Sequence, residues 1–144
     1  MNPFARFHRG EGAQSLVEFA LILPIFLLLV TGLFDLARAV WQENTLAYAA
    51  REGTRYAIVH GSGSSSPLGP ADSAEPNISA IVRNAAVGVG NVTVTTGWPD
   101  ASNDRGQRVS VDASAPFVPL PSYYLLGSTF HINLKGGSML VIEN

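Results

Sequence analysis

The hydrophobic positions of this chain fall into two regimes, one continuous and one periodic. From Phe19 to Phe34 the sequence reads FALILPIFLLLVTGLF, sixteen residues without a charged side chain, bounded by Glu18 and Asp35. Leu16 and Val17 extend the run to nineteen residues with one carboxylate near its start. At the rise of an α-helix these lengths are roughly 24 and 28 Å, against a bilayer hydrocarbon thickness of about 30 Å. The run is apolar on every face, whereas the core helix of a soluble domain keeps a polar stripe. The pattern predicts a membrane span over about 16–34.

Beyond Asp35 the pattern becomes periodic. Residues 35–59 contain no proline, and their only glycine is Gly53. Ala37, Ala39, Ala47, Ala49, Ala50 and Ala57 supply high helix propensity. Ala37, Val40, Ala47, Ala50, Thr54 and Ala57 recur at helical steps, interrupted at Asn44, and predict one buried face. Arg38, Glu52 and Arg55 lie off that face. Ala49, Gly53 and Ala57 form a line of small residues four apart, which lets another helix approach closely. The expectation is one helix over 14–59, roughly 69 Å long, half in lipid and half outside it. Pro24 has no N–H to donate and its ring crowds the carbonyl of Ala20, which predicts a local kink.

The remainder reads as a small mixed domain. Residues 60–76, HGSGSSSPLGPADSAEP, have no hydrophobic period and predict a flexible loop. A short helix is expected from Pro76 to Val87, with Ile78, Ile81, Val82 and Ala85 as its stripe. The period then changes to two. Val92 and Val94 alternate with threonines, and Val109, Val111 and Ala113 alternate with Ser110, Asp112 and Ser114. Gly97 to Gly106 is turn chemistry. Phe117 to Tyr124 is proline-rich and reads as extended, and Thr129–Leu134 and Ser138–Ile142 read as two strands around a Lys135-Gly136-Gly137 turn. The predicted class is α+β: a long N-terminal transmembrane helix packed on a small antiparallel β-sheet over 77–144.

Composition narrows the function. Hydrophobic residues make up 47% and charged residues 14% of the 144, which excludes a disordered chain. The absence of cysteine excludes a disulfide scaffold and a thiolate metal site. A net charge of -2 gives no electrostatic reason to expect nucleic acid as a partner. Arg6, His8 and Arg9 precede the apolar run with Glu11 as the only acid, so the positive-inside rule places the N-terminus in the cytoplasm. A cleaved secretory signal competes, because Ala37-Arg38-Ala39 resembles its cut site. Against it, the apolar run exceeds the usual h-region of about 7–15 residues, and the helical pattern continues through the cut.

No catalytic constellation stands out. His8, His60 and His131 have no metal-ligand spacing. Gly61-Ser62-Gly63-Ser64 is not a nucleophile elbow, and Gly88-Val89-Gly90 lacks the third glycine of a dinucleotide loop. Asp100, Asp104 and Asp112 do not follow the calcium-loop pattern. Trp98, Tyr123 and Tyr124 read either as an exposed patch or as the edge of a small core. No cofactor and no enzymatic activity are expected. Glu18 is the exception to this blandness, since a carboxylate at the edge of an apolar helix is a functional candidate by default.

The segment Gly12-Ala13-Gln14-Ser15-Leu16-Val17-Glu18 through Pro24 resembles the N-terminal signature of TadE-like proteins, minor pilins or pseudopilins of the tight-adherence (Flp) pilus system. Asn44 and Ala49-Ala50-Arg51-Glu52-Gly53-Thr54-Arg55 are similar to that family's second motif, and the resemblance is tight over 9–56 and loose beyond. It implies a pilin-like fold and a cytoplasmic leader over 1–13, cut by a prepilin peptidase. Cleavage after Gly12 puts Glu18 at mature position six, and cleavage after Ala13 puts it at five with Gln14 first. Either cut removes Arg6, Arg9 and Glu11, leaving 7 basic and 10 acidic residues and a net charge of -3. The resemblance also implies that Glu18 pairs with a subunit's N-terminal amine. The implied partners are other pilins or pseudopilins, assembly-platform proteins, the peptidase and the lipid bilayer. The implied location is the cytoplasmic membrane, with the C-terminal domain outside it and incorporation into a surface pilus as one fate. An unprocessed, membrane-anchored binding module is the alternative, and a secreted enzyme is the third reading.

Overall fold

The computed structural model describes residues 8–70, 75–127 and 130–143. Residues 1–7 of the expected leader, with Arg6, and residues 71–74 of the expected loop lie outside the described residues, as does Thr129. Helix α1 spans His8–Ile58, a single helix of 51 residues, roughly 76 Å long. It passes through Pro24 with helix on both sides. It starts before Gln14 because each residue added to an existing helix costs far less than a new nucleus.

The outer part of α1 supports a small domain. Helix α2 (Pro76–Ala85) starts with proline in its first turn, where the missing N–H has no intrahelical partner to lose. Strands β1 (Thr93–Gly97), β2 (Arg108–Phe117) and β3 (Ile132–Val141) form one antiparallel sheet in the order β1-β2-β3. A short helix α3 (Leu120–Leu126) lies between β2 and β3. Period-two alternation sets the sheet's inner face: Val94 stands opposite Ala113, and Val111 opposite Thr96 and Ser138. That face packs on α1, with α2 alongside. Leu46, Ile78, Val82, Val109, Val111 and Thr54 are the largest fully buried side chains. Thr54 satisfies its hydroxyl by donating to the Ala50 carbonyl at 2.7 Å.

Three expectations need correction. Lys135-Gly136-Gly137 is not a turn: Gly136 and Gly137 pair with Ala113 and Asp112 inside the continuous ten-residue strand β3. The glycines serve a close approach instead. A Cβ on Gly136 would lie 2.5 Å from the Leu46 carbonyl carbon and 2.6 Å from the Ala47 Cα, so the backbone of α1 rests directly on the strand. The stretch after Pro119 is not extended, because Pro121 falls in the first turn of α3, where proline is compatible with a helix.

The buried face of α1 also differs from the predicted one. Ala37 and Val40 are exposed, and the seam runs through Asp35, Gln42, Leu46, Ala49, Ala50, Gly53, Thr54 and Ala57. Gln42 donates from Nε2 to the Pro116 carbonyl at 3.4 Å. Ala50, Thr54 and Ala57 are shared with the predicted face, and the apolar count missed the start of the seam because Asp35 and Gln42 are polar. Within the expected loop, residues 60–70 make specific contacts with the domain. Leu68 is buried, its N–H donates to the His60 carbonyl at 2.8 Å, and its own carbonyl accepts from Asn103 Nδ2 at 3.0 Å.

Candidate functional site

The inner half of α1 has no buried residue over its apolar run and is exposed there everywhere but beside Val30 and Thr31, which are half-buried. Leu16, Phe19, Leu21, Ile22, Ile25, Leu29 and Phe34 are all more than half exposed, and none of the most apolar stretch is buried. A soluble monomer does not carry an apolar surface of this extent. Thr31, the one hydroxyl of the run, donates back to the carbonyls of Leu27 (2.9 Å) and Leu28 (3.1 Å), which satisfies it without water. These features exclude the buried helix of a soluble core and fit single-pass membrane anchoring. The candidate secretory cut at Ala37-Arg38-Ala39 falls within continuous helix, beside a carboxylate that the outer domain uses.

That carboxylate is Asp35. It is only 7% exposed although it ends the apolar run. Its Oδ1 accepts from Arg38 Nη1 at 2.8 Å, and its Oδ2 accepts from the Leu120 backbone N–H at 2.7 Å. The guanidinium of Arg38 also stands over the Phe117 ring, 5.2 Å from its centroid. The first turn of a helix has N–H groups without intrahelical partners, and Asp35 satisfies one of them at the start of α3. Sequence reasoning used Asp35 only as a boundary mark. The local signal available was an Asp–Arg pair three residues apart, which does not name Leu120, 85 positions away.

Below this junction α1 and α3 enclose an open apolar cleft of about 380 Å³. Pro24, Leu27, Leu28 and Thr31 line it on one side, and Leu120, Pro121 and Tyr124 on the other. Tyr123 and Tyr124 are exposed and meet edge to face, with centroids 5.5 Å apart. Trp98, in contrast, packs against the core and covers Gly69.

The other site residues occupy separate levels of α1. Gly12, Ala13, Gln14 and Glu18 lie in its exposed N-terminal turns, where Gln14 Nε2 donates to Glu18 Oε1 at 3.1 Å. Asn44 lies roughly 39 Å further along and is exposed. Ala49, Gly53 and Ala57 are buried beneath α2: a Cβ on Gly53 would come 2.5 Å from Val82 Cγ2 and 3.3 Å from Ile78 Cγ2. The close helix approach at this line is thus made within the chain. Ala50 is buried, Arg51 and Arg55 point outward, and Arg55 donates to Glu52 at 3.3 Å.

The domain's acids hold local structure. Asp100 accepts from Arg108 Nη2 (2.6 Å), Nε (3.0 Å) and backbone N–H (2.9 Å). These bonds hold its carboxyl down to about 2 and raise Arg108 above its ordinary value. Asp104 is lowered by hydrogen bonds from Ser102 and Ser62. Among the described residues no three His, Cys, Asp or Glu side chains converge as a metal site.

A membrane-anchored helix carrying a small α+β outer domain is therefore the class that fold and site define. Residues 13–55 match the family model described as TadE-like protein, so this segment of the chain is TadE-like. Comparisons with curated proteins and with solved structures give no match. The TadE-like match and the apolar helix together fit a membrane-anchored structural component of a tight-adherence pilus.

Proposed function

We propose that the protein is a minor pilin or pseudopilin of a Flp-type pilus or secretion apparatus, inserted with its N-terminus in the cytoplasm and processed by a prepilin peptidase after Gly12 or Ala13. The observation that carries this reading is the division of one helix into a bare apolar half and a half built into the outer domain. A helix of that kind anchors the subunit before assembly. It can then exchange lipid for the apolar helices of other pilins with little change in the solvent around its side chains.

Glu18 gives the exchange a register. A carboxylate in hydrocarbon is costly unless paired. In the uncut chain its partner is the neutral amide of Gln14. Cleavage creates an ammonium four or five residues away, which is a stronger partner for the same oxygen. Gly10 and Gly12 stand just before the cut and weaken this turn of α1, which eases its opening for a protease. Assembly-platform proteins and neighbouring pilins are the partners on this reading, with Arg51, Arg55 and Asn44 on the outward surface of α1.

The test is the mass-spectrometric N-terminus of membrane-associated protein, from cells with and without an active prepilin peptidase. Loss of 12 or 13 residues only when the peptidase is present is expected. An intact Met1 form in its presence overturns the pilin reading in favour of an unprocessed anchored binding module. Glu18→Ala should insert into membranes normally yet co-purify poorly with pilin partners, and undiminished co-purification would remove the charge-pair role.

A further inference from the structure

We propose that α3 is a membrane-inserted foot, resting in the outer leaflet of the bilayer with acyl chains filling the cleft between it and α1. The inference rests on the membrane-anchored reading of α1. Its first support is depth. The α1 wall of the cleft runs from Thr31 to Pro24, roughly 6 to 16 Å below Asp35 along the helix axis, inside the segment that spans the bilayer. Whatever lies beside those residues shares their depth. Tyr124 and Pro121 lie beside them, so α3 cannot stand in bulk water while Leu27 and Leu28 stand in lipid. Insertion of about 5–10 Å is the usual depth of an interfacial helix.

The second support is charge. Between Asp112 and Lys135 the chain has no Asp, Glu, Lys or Arg, a gap of 22 residues and the longest such gap in the sequence. The gap contains the end of β2, whose Ala113, Ala115 and Phe117 are buried, and then α3 and the exposed Tyr123, Tyr124 and Phe130. Tyrosine suits this position, since its ring enters the acyl boundary while its hydroxyl stays among the headgroups. The third support is the hinge of the arrangement. Asp35 holds the first N–H of α3 and Arg38 caps Phe117, so the polar junction sits at the membrane surface and aims α3 inward. A foot of this kind fixes the tilt of the outer domain relative to the membrane, which a single helix leaves free.

The chain's lack of cysteine permits a clean test. Three single-cysteine variants of the full chain carry a nitroxide label in phosphatidylcholine–phosphatidylglycerol vesicles: Tyr124→Cys in α3, Leu29→Cys in the span, and Met139→Cys on the outer face of β3. Met139 is near the end of the sheet tied to Ile58, far from the span, through the Glu143 N–H to Ile58 carbonyl bond. Collision of each label with oxygen, which dissolves in lipid, is compared with collision with a water-soluble nickel chelate. The oxygen-to-nickel ratio at 124 should match that at 29 and exceed that at 139 several-fold. A ratio at 124 equal to that at 139, with 29 still in lipid, overturns the foot and leaves the anchor intact. Water access at 29 overturns the anchor itself. Protection of 124 from both reagents, relieved by diluting the protein in lipid, overturns lipid as the occupant in favour of a second copy.

Discussion

Gly136 is where the long helix meets the sheet most closely, and replacing it with alanine tests the packing of the whole outer domain. The added Cβ would collide with Ala47 N, and would lie 2.5 Å from the Leu46 carbonyl carbon and 2.6 Å from the Ala47 Cα. All three are backbone atoms in the middle of a helix, so no rotamer change relieves the overlap. Restoring ordinary contact means moving α1 off β3 by about 1 Å, and a gap of that size forfeits up to about half of each dispersion contact along the seam. Leu46, Ala50 and Thr54, all fully buried, would lose contact together. Overpacking of a core costs about 1–3 kcal/mol, and a backbone clash belongs at the upper end. For a small domain about 3 kcal/mol corresponds to a fall of about 12–24 °C in Tm. Gly137→Ala is the control, since its Cβ meets only the Asp112 carboxylate, the mobile end of an exposed side chain, and should stay within about 0.5 kcal/mol of the parent. Thermal unfolding of the full chain in detergent micelles, followed by tryptophan fluorescence in a Trp41→Phe background so that the core-packed Trp98 alone reports, reads both variants. Equal midpoints for Gly136→Ala and Gly137→Ala would refute the direct backbone contact.

Further outcomes follow from individual contacts. Asp35→Ala leaves the Leu120 N–H and Arg38 without their acceptor and should cost about 1–3 kcal/mol, with faster proteolysis near Leu120; Asp35→Asn, which keeps an oxygen, should lose less. Asp100 is held at about 2 in the folded chain against 3.8 when free, so its pairing with Arg108 stabilises the fold above 3.8 and is lost as pH falls through about 2. Acid titration of Asp100→Asn should therefore show a shallower loss of stability across that window, and an unchanged slope would count against the pairing. Thr96 has a buried hydroxyl with no hydrogen-bond partner among the described residues, so Thr96→Val should raise stability by about 1 kcal/mol in a denaturant melt, and a destabilised variant would show that the hydroxyl has a role.

The sequence by itself determined the parts of this protein that depend on local pattern. A charge-free run from Phe19 to Phe34 is long and apolar enough to cross a membrane wherever the rest of the chain packs, because that property is a sum over its own side chains. Alternation in Val109, Val111 and Ala113 assigned the inner face of β2, and the motif from Gly12 to Pro24 pointed to the TadE-like class. Tertiary structure decided what depends on partners far along the chain. Gly136 reads as a turn residue until Leu46 and Ala47 are seen against it, 90 and 89 positions away. Asp35 reads as the end of a span until the Leu120 N–H is found on its carboxylate. Polar Asp35, buried, and Gln42, half-buried, belong to the seam of α1 that faces the domain, whereas Ala37 and Val40, apolar and correctly spaced, do not. Helical period says that a face exists. Which face is buried depends on where the sheet and α3 lie, and their position is set by packing and hydrogen bonds across more than 80 residues of chain.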